Sequence, residues 1–292
     1  MPIVLAIGLD PVLWWLSCQQ TTPWGISEYD VGGGIKGQPI EVIEGPHTGI
    51  PVPARAEIII EGECHPDEVE DEGPFGEWHG YYANQGLSPV KEPVMHVKAI
   101  HYRNDPILTC SMPAVPPWDH SILYALGNSA GIREHLESFG IPGIKGVWCH
   151  EAGGGLLFNV ISIEQLYAGH ARQVGTIAAL FATEIGRYTV VVEDDIDPSN
   201  MERVIWAMVT RALPDKSILV IPDCHSYNGD PAIPYEEKVK AGAKGPLTGA
   251  RVVINACRDL SWKKDWYPIS RMSPELREKT LGKWRERLSK FL

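Results

Sequence analysis

Residues 156–195, LLFNVISIEQLYAGHARQVGTIAALFATEIGRYTVVVEDD, decide the fold class of this chain. LLFNVISI (156–163) is a short apolar run rich in β-branched residues, which predicts a strand. Ala168 to Ile185 is Ala-rich and amphipathic, predicts a helix, and is stopped by Gly186. TVVVEDD (189–195) is an apolar strand that runs into acids. Strand, helix and strand of these lengths predict an α/β layer on a largely parallel sheet. The alternation extends both ways. Upstream, Ser121 to Phe139 carries apolar residues at helical spacing before Gly140; downstream, Pro198 and Ser199 open a helix over MERVIWAMVTRAL, and ILVIP reads as a further buried strand. The last twenty residues begin with Ser273-Pro274-Glu275 as a helix start and carry Leu276, Leu281, Trp284 and Leu288 as an apolar stripe, which must dock on something such as a second subunit.

Towards the N-terminus the pattern changes at SMPAVPPW (111–118), which is proline-dense and has neither helical nor strand period. It is the expected boundary between a domain of residues 1–118 and one of residues 119–292. Residues 38–110 read as β-rich, with Ile40 to Glu44, Ala56 to Glu63 and Val94 to His101 as short strands between Pro and Gly turns. The opening run from Pro2 to Cys18 lacks a basic flank and is broken by Asp10 and Pro11. It reads as the strand VLAIGLD and a helix start, neither a leader nor a membrane span.

Charge follows the same division. Residues 1–118 hold 16 Asp/Glu and 5 Lys/Arg, so they carry the whole net charge of −11, whereas residues 119–292 hold 21 of each. Phosphate backbones need clustered Lys/Arg, so a nucleic-acid partner is excluded for the first part. The six cysteines are scattered with no CxxC pair, which suits a reducing cytoplasm and not a disulfide framework.

The densest chemistry lies between Glu57 and Glu77, where nine carboxylates face the one nearby base Arg55. Asp67 to Asp71 read as a solvated acidic loop. Glu72 and Glu77 differ, because they bracket EGPFGE, a turn fixed by Gly and Pro, and lead into the aromatic WHGYY. Two carboxylates on one rigid turn beside aromatic surface suit a pair in which one pKa rises while the other group stays ionised, the requirement for a general acid near neutral pH. A plain surface turn remains the alternative. Cys149-His150-Glu151 and Cys224-His225 lack paired zinc spacing. The glycine runs at 32–37 and 153–155 match no nucleotide loop. The acids from Glu193 to Asp197 read as favourable charge at the N-terminus of the helix from Pro198.

PVPARAEIIIEGE followed by EDEGPFGEWHGYYA resembles the signature of the UbiD-type decarboxylases, which use prenylated FMN. The resemblance continues through IEQLYAGHARQV, VVVEDDID, MERVIWAMVTRALPD and WYPISRMSPE. It implies an α+β chain: a partial split β-barrel flavin-binding domain followed by an α/β oligomerisation domain with a C-terminal helix. It also implies reversible, non-oxidative decarboxylation of a small aromatic or α,β-unsaturated carboxylic acid. Glu72 matches the first carboxylate of the family's Glu–Arg–Glu network and Glu77 the second, the proton donor. Glu28, in GISEYD and 44 residues before Glu72 (72 − 28), matches a carboxylate that binds Mn²⁺ or Mg²⁺ bridging to the cofactor phosphate. Trp78 falls where the family lines its substrate pocket. The resemblance also leaves room for K⁺.

One departure is large. The family's long N-terminal portion, with the network's arginine, the remaining metal ligands and much of the cofactor cradle, has no counterpart in these 292 residues. Either a second chain supplies that portion, within a homo- or hetero-oligomer, and is the expected partner, or the chain is a truncated product. A non-catalytic scaffold subunit is the alternative reading, and a flavin protein of different chemistry a third.

Overall fold

The computed structural model describes residues 1–18, 22, 24–82, 90–241 and 245–289. Met1–Cys257 forms one compact unit and Arg258–Leu292 another. In the first, the elements in chain order are β1 (Pro2–Ile7), α1 (Pro11–Ser17), α2 (Glu28–Lys36), β2 (Val42–Glu44), β3 (Pro51–Pro53), β4 (Ile58–Glu72) and β5 (Val90–Tyr102). They are followed by α3 (Asp119–Ser138), β6 (Ile144–Cys149), β7 (Phe158–Ile163), α4 (His170–Ala179), β8 (Tyr188–Glu193), α5 (Met201–Arg211), α6 (Pro214–Ser217), β9 (Ile218–Ser226), α7 (Tyr235–Ala241) and β10 (Leu247–Asn255). The architecture is α+β with open sheets, of order β1-β4-β5, β6-β7-β8-β10-β9 and β2-β3; among the described residues no barrel closes.

The five-stranded sheet organises the core. β7, β8 and β10 run parallel, and β6 and β9 flank them antiparallel. Alternation along β7 sends Val160 to one face, where it packs with Val190, Val192 and the α5 residues Val204 and Ala207. Ile161 and Ile163 point to the other face and meet Ile132 and Leu136 of α3 and Val174 and Ala178 of α4. Sequestering each such side chain stabilises by about 1.5–3 kcal/mol.

Several expectations are corrected. The helix predicted over 168–185 ends at Ala179, because the chain must turn back for Gly186 N–H to reach Leu156 O (2.9 Å) and start β8. β9 is not buried. It lies at the sheet edge and exposes Ile218 and Val220. The acids Asp67 to Asp71 are solvated, but as strand rather than loop, since β4 pairs with β5 as far as Glu72; Lys91–Asp71 (2.8 Å) and His96–Glu68 reinforce that pairing. The glycine run at 32–34, which matched no motif, lies inside α2. Ser27 caps this helix, and a Cβ at Gly32 would come within 3.2 Å of Leu13 and 3.3 Å of Leu16, so the missing side chain lets α2 lie close on α1. Trp15 Nε1 then ties α1 to α3 by donating to Leu123 O (3.0 Å).

The acids after β8 also serve differently. α5 is capped by Asn200, and Glu193 and Asp195 bind the buried Arg211. Arg211 Nη1 donates to Glu193 (3.3 Å) and Asp195 (2.8 Å), Nη2 donates to Asp195 (2.7 Å), and the guanidinium lies over Trp206 (5.1 Å). On β4, Glu61 is wholly buried and accepts from the Thr48 hydroxyl (2.7 Å), Thr48 N–H (2.8 Å), His47 N–H (3.1 Å) and His101 Nε2 (2.7 Å). Burial works to raise its pKa, but these bonds outweigh it and pull the group to about 2.

The second unit holds α8 (Pro274–Leu288), capped by Ser273. Leu276, Trp284 and Leu288 are exposed on it, and the tail of the predicted stripe helix, 290–292, lies outside the described residues. No helix among the described residues is long and apolar enough to cross a membrane.

Arg211→Ala removes the cation from a buried cluster and is expected to lower unfolding free energy by about 3–5 kcal/mol, read by denaturant melts. Glu61 has a depressed folded-state pKa, so its contribution is complete above pH 4.5, its unfolded value, and fades as pH falls towards 2. Thermal melts across that window should show Glu61→Gln losing less stability with acid than the wild type does.

Candidate active site

The turn that follows β4 starts at Gly73 and is closed by its own backbone. Glu77 N–H donates to Tyr81 O (3.0 Å), and Glu77 O accepts from Gly80 N–H (2.8 Å). Glu72 ends β4 in solvent, while Glu77 and Trp78 are half-buried. Trp78 fastens the turn to the rest of the unit. Its carbonyl accepts from Trp118 Nε1 (2.9 Å), its ring packs on the core of the five-stranded sheet, and it stacks on Tyr227 at 6.2 Å between centroids. A Cβ at Gly154 would come within 2.6 Å of the indole, and Gly154 has φ +71°, so the contact needs glycine twice over.

His79, beside Trp78, is buried and its tautomer is fixed. Nδ1 accepts from Tyr81 N–H (3.2 Å), so the proton sits on Nε2, which donates to Gly229 O (2.8 Å). Burial lowers its pKa and keeps the ring neutral.

Charged groups from the second half of the sequence surround this turn. Asp230 is 1% exposed and accepts from Arg187, from Ser226 Oγ (2.8 Å) and from Ala232 N–H (2.8 Å). Burial pushes its pKa up, but Arg187 and the two other donors win and hold it below the ordinary carboxylate value. Lys238 on α7 is 5% exposed. Burial draws its pKa down against the opposing pull of Asp230 and Glu77. Burial also pushes the Tyr227 phenol upwards, helped by Glu184, Asp230 and Glu77. Arg251 is buried and donates to Thr183 O and His225 O (3.2 Å).

An open cleft of about 420 Å³ adjoins these groups, walled by Tyr81, Tyr82, Ile233, Tyr235 and Lys238. Aromatic walls with one cation form a donor set that fits a flat, anionic conjugated group such as a flavin or an aromatic acid. The metal expectation fares differently. Glu28 is exposed at the first turn of α2, and among the described residues no three His, Cys, Asp or Glu come together as a metal site. The described residues therefore do not by themselves fit a divalent ion. Of the groups around Glu77, sequence reasoning singled out Trp78 alone. His79 stood inside the quoted WHGYY, whereas Lys238 looked like ordinary charged helix, and neither carried a local signal of burial.

Two family profiles match, the 3-octaprenyl-4-hydroxybenzoate carboxy-lyase Rift-related domain over residues 1–116 and the C-terminal domain of the same carboxy-lyase over residues 121–256. The chain belongs to the UbiD family. Among its curated relatives, the pyrrole-2-carboxylic acid decarboxylase of Pseudomonas aeruginosa is 31% identical over 267 residues, 87% of this chain and 51% of that one. The phenolic acid decarboxylase of Bacillus subtilis is 29% identical, over 79% of this chain and 48% of its own. Among solved UbiD-class structures, HmfF of Pelotomaculum thermopropionicum in complex with FMN aligns with a TM-score of 0.78 at 28% identity, covering 95% of this chain and 57% of that one. An evolved dimeric form of HmfF in complex with prFMN aligns at 0.73, with 27% identity and 95% and 56% coverage. The chain spans about half the length of the curated UbiD relatives it matches.

Gly154→Ala is expected to push Trp78 off its seat, costing of the order of 1–3 kcal/mol and red-shifting tryptophan emission as the turn loosens and the indole meets water; an unchanged melt and spectrum would refute the fastening role.

Proposed function

We propose that this chain forms the Glu77-bearing part of a carboxy-lyase that decarboxylates a small aromatic or α,β-unsaturated carboxylic acid, in the reversible, non-oxidative manner of its family. The carrying observation is the setting of Glu77. It stands on a turn pinned by Trp78, between a buried neutral His79 and the buried charges Asp230 and Lys238, beside an aromatic cleft. Membership in the UbiD family and the substrates named for the two curated decarboxylases support the reaction class.

Prenylated FMN, when bound, supplies the electron sink for the pair left behind as CO₂ departs. The residues of this chain do the rest. Tyr81, Tyr82 and Tyr235 line the cleft that receives an aromatic acid, while Trp78 anchors the acidic turn. Lys238 and Arg187 bring positive charge to a half of the molecule that is otherwise acidic. Glu77 Oε donates the proton that replaces the lost carboxylate, a task that requires it neutral at that moment. Glu72, solvent-facing at the end of β4, is the ionised partner and pairs with an arginine from outside these residues. Glu28 contributes one ligand to a divalent ion completed from the same outside portion, which we assign to a second chain or an upstream segment.

The scaffold reading has one supporting observation, the lack of a complete metal-ligand set among the described residues. Flavin binding separates the two readings. A complex with the remaining portion should retain prenylated FMN detectable by mass spectrometry, whereas a scaffold retains none. In that complex Glu77→Gln is expected to lower decarboxylation by the order of 10²–10⁴-fold while substrate still binds. Decarboxylation at the wild-type rate would overturn the proton-donor assignment.

A further inference from the structure

Decarboxylation of a carboxylate consumes a proton, RCOO⁻ + H⁺ → RH + CO₂. On the reading above Glu77 therefore ends each turnover ionised and must be recharged. The surrounding groups differ in whether they can do this. His79 engages both ring nitrogens with backbone groups, Tyr81 N–H and Gly229 O, and cannot carry a proton in or out without breaking one of them. Tyr227 lies behind the Trp78 ring, and burial makes it hold its proton more tightly. Arg187 is bound to Asp230, Arg251 to two carbonyls, and a guanidinium does not release its proton in a protein. Asp230 is kept ionised by three donors.

Lys238 remains. It is buried on α7 and shares the wall of the cleft that opens to solvent with Tyr81, whose carbonyl accepts from Glu77 N–H (3.0 Å), and both Glu77 and Asp230 favour its charged form. On α7 itself Glu236, Glu237 and Lys240 are exposed. A lysine differs from an arginine here because desolvation brings its proton within reach of exchange. Burial outweighs the two carboxylates and leaves its pKa below the ordinary lysine value.

We propose that Lys238 recharges Glu77, passing a proton from its ammonium to the ionised carboxylate and drawing a replacement from water in the cleft between Tyr81, Tyr82 and Tyr235. The transfers balance: Lys–NH₃⁺ + Glu–COO⁻ → Lys–NH₂ + Glu–COOH, then Lys–NH₂ + H₃O⁺ → Lys–NH₃⁺ + H₂O, one solvent proton for each CO₂ released. In this step Lys238 acts through Glu77, so it is a relay residue. The inference rests on Glu77 being the proton donor.

Two readouts test it. In the chain alone, ¹³Cε-lysine NMR, with the Lys238 signal identified by its loss in Lys238→Arg, should show a titration midpoint below that of the exposed lysines. Glu77→Gln should move this midpoint lower still, because the carboxylate no longer holds the proton on the amine; an unmoved midpoint overturns the coupling. In the complete complex with prenylated FMN, solvent-deuterium exchange into the product should slow by the order of 10²-fold in Lys238→Ala. Small primary amines should restore it in proportion to their basicity, and tetramethylammonium, a charge without a proton, should not. Lys238→Arg, which keeps charge and bulk, should be as slow, and it decides the matter should the alanine variant misfold. Exchange at the wild-type rate in either variant, or equal rescue by tetramethylammonium, sinks the relay alone. A wild-type complex with no exchange at all sinks the proton-donor reading and this inference with it.

Discussion

The arrangement around Glu77 depends on an indole ring lying against a glycine. Trp78 approaches Gly154 so closely that a single Cβ would fall 2.6 Å from the ring, and its carbonyl is held by Trp118 Nε1. Glu77 and His79 are its immediate neighbours, so fixing the indole fixes a carboxylate and an imidazole to within one residue's reach. The consequence is topological. A turn at the end of an acidic strand becomes part of the surface of the α/β sheet, and groups 150 residues away in sequence, such as Gly229, become its hydrogen-bond partners.

Desolvation then decides the electrostatics, and it acts oppositely on the two buried charges. Asp230 has Arg187, Ser226 and Ala232 as donors, so the bonds to its charged form exceed the burial penalty and it stays ionised. Lys238 feels two carboxylates through space, and that attraction does not repay the loss of water. One site therefore holds an anion kept below the ordinary carboxylate pKa and a cation drawn below the ordinary lysine pKa. Histidine, the usual shuttle near neutral pH, is present at position 79 but is committed to the backbone on both nitrogens.

Local pattern made the sheet legible, and its absence hid the charges around the site. β7 and β8 announced themselves because their apolar runs are long enough to fill both faces of a buried sheet, and Val160 and Val190 face α5 while Ile161 and Val191 face α3 and α4. α2 was illegible for a converse reason. Each glycine costs a helix interior roughly 1 kcal/mol, and only the close approach to Leu13 and Leu16, which no sequence window contains, turns Gly32 into an asset. β9 was misread because an apolar run does not say whether a strand is central or at an edge. Glu72, Glu77 and Trp78 stood in one contiguous motif. Lys238, Asp230 and Arg187 came from separate loops and helices, and nothing within a few residues of any of them distinguishes a buried charge from a solvated one.

Counted over the whole domain, the net −11 confined to residues 1–118 leaves that half short of cations for a carboxylate substrate. Distance weakens the objection. Val69, three residues up β4 from Glu72, is already about 10 Å away at roughly 3.3 Å per residue, and Asp67 and Glu68 precede it in the irregular stretch between Cys64 and Val69; exposed charges beyond roughly 8 Å are largely screened at physiological ionic strength. The acids along the outer part of β4 therefore contribute little field at the turn. Lys238 is out of water and Arg187 is half-buried against Asp230, so both are screened less. The local potential is governed by a few desolvated groups and not by the count over the domain, and the buried Lys238 and half-buried Arg187 belong to the half of the chain whose charges sum to zero.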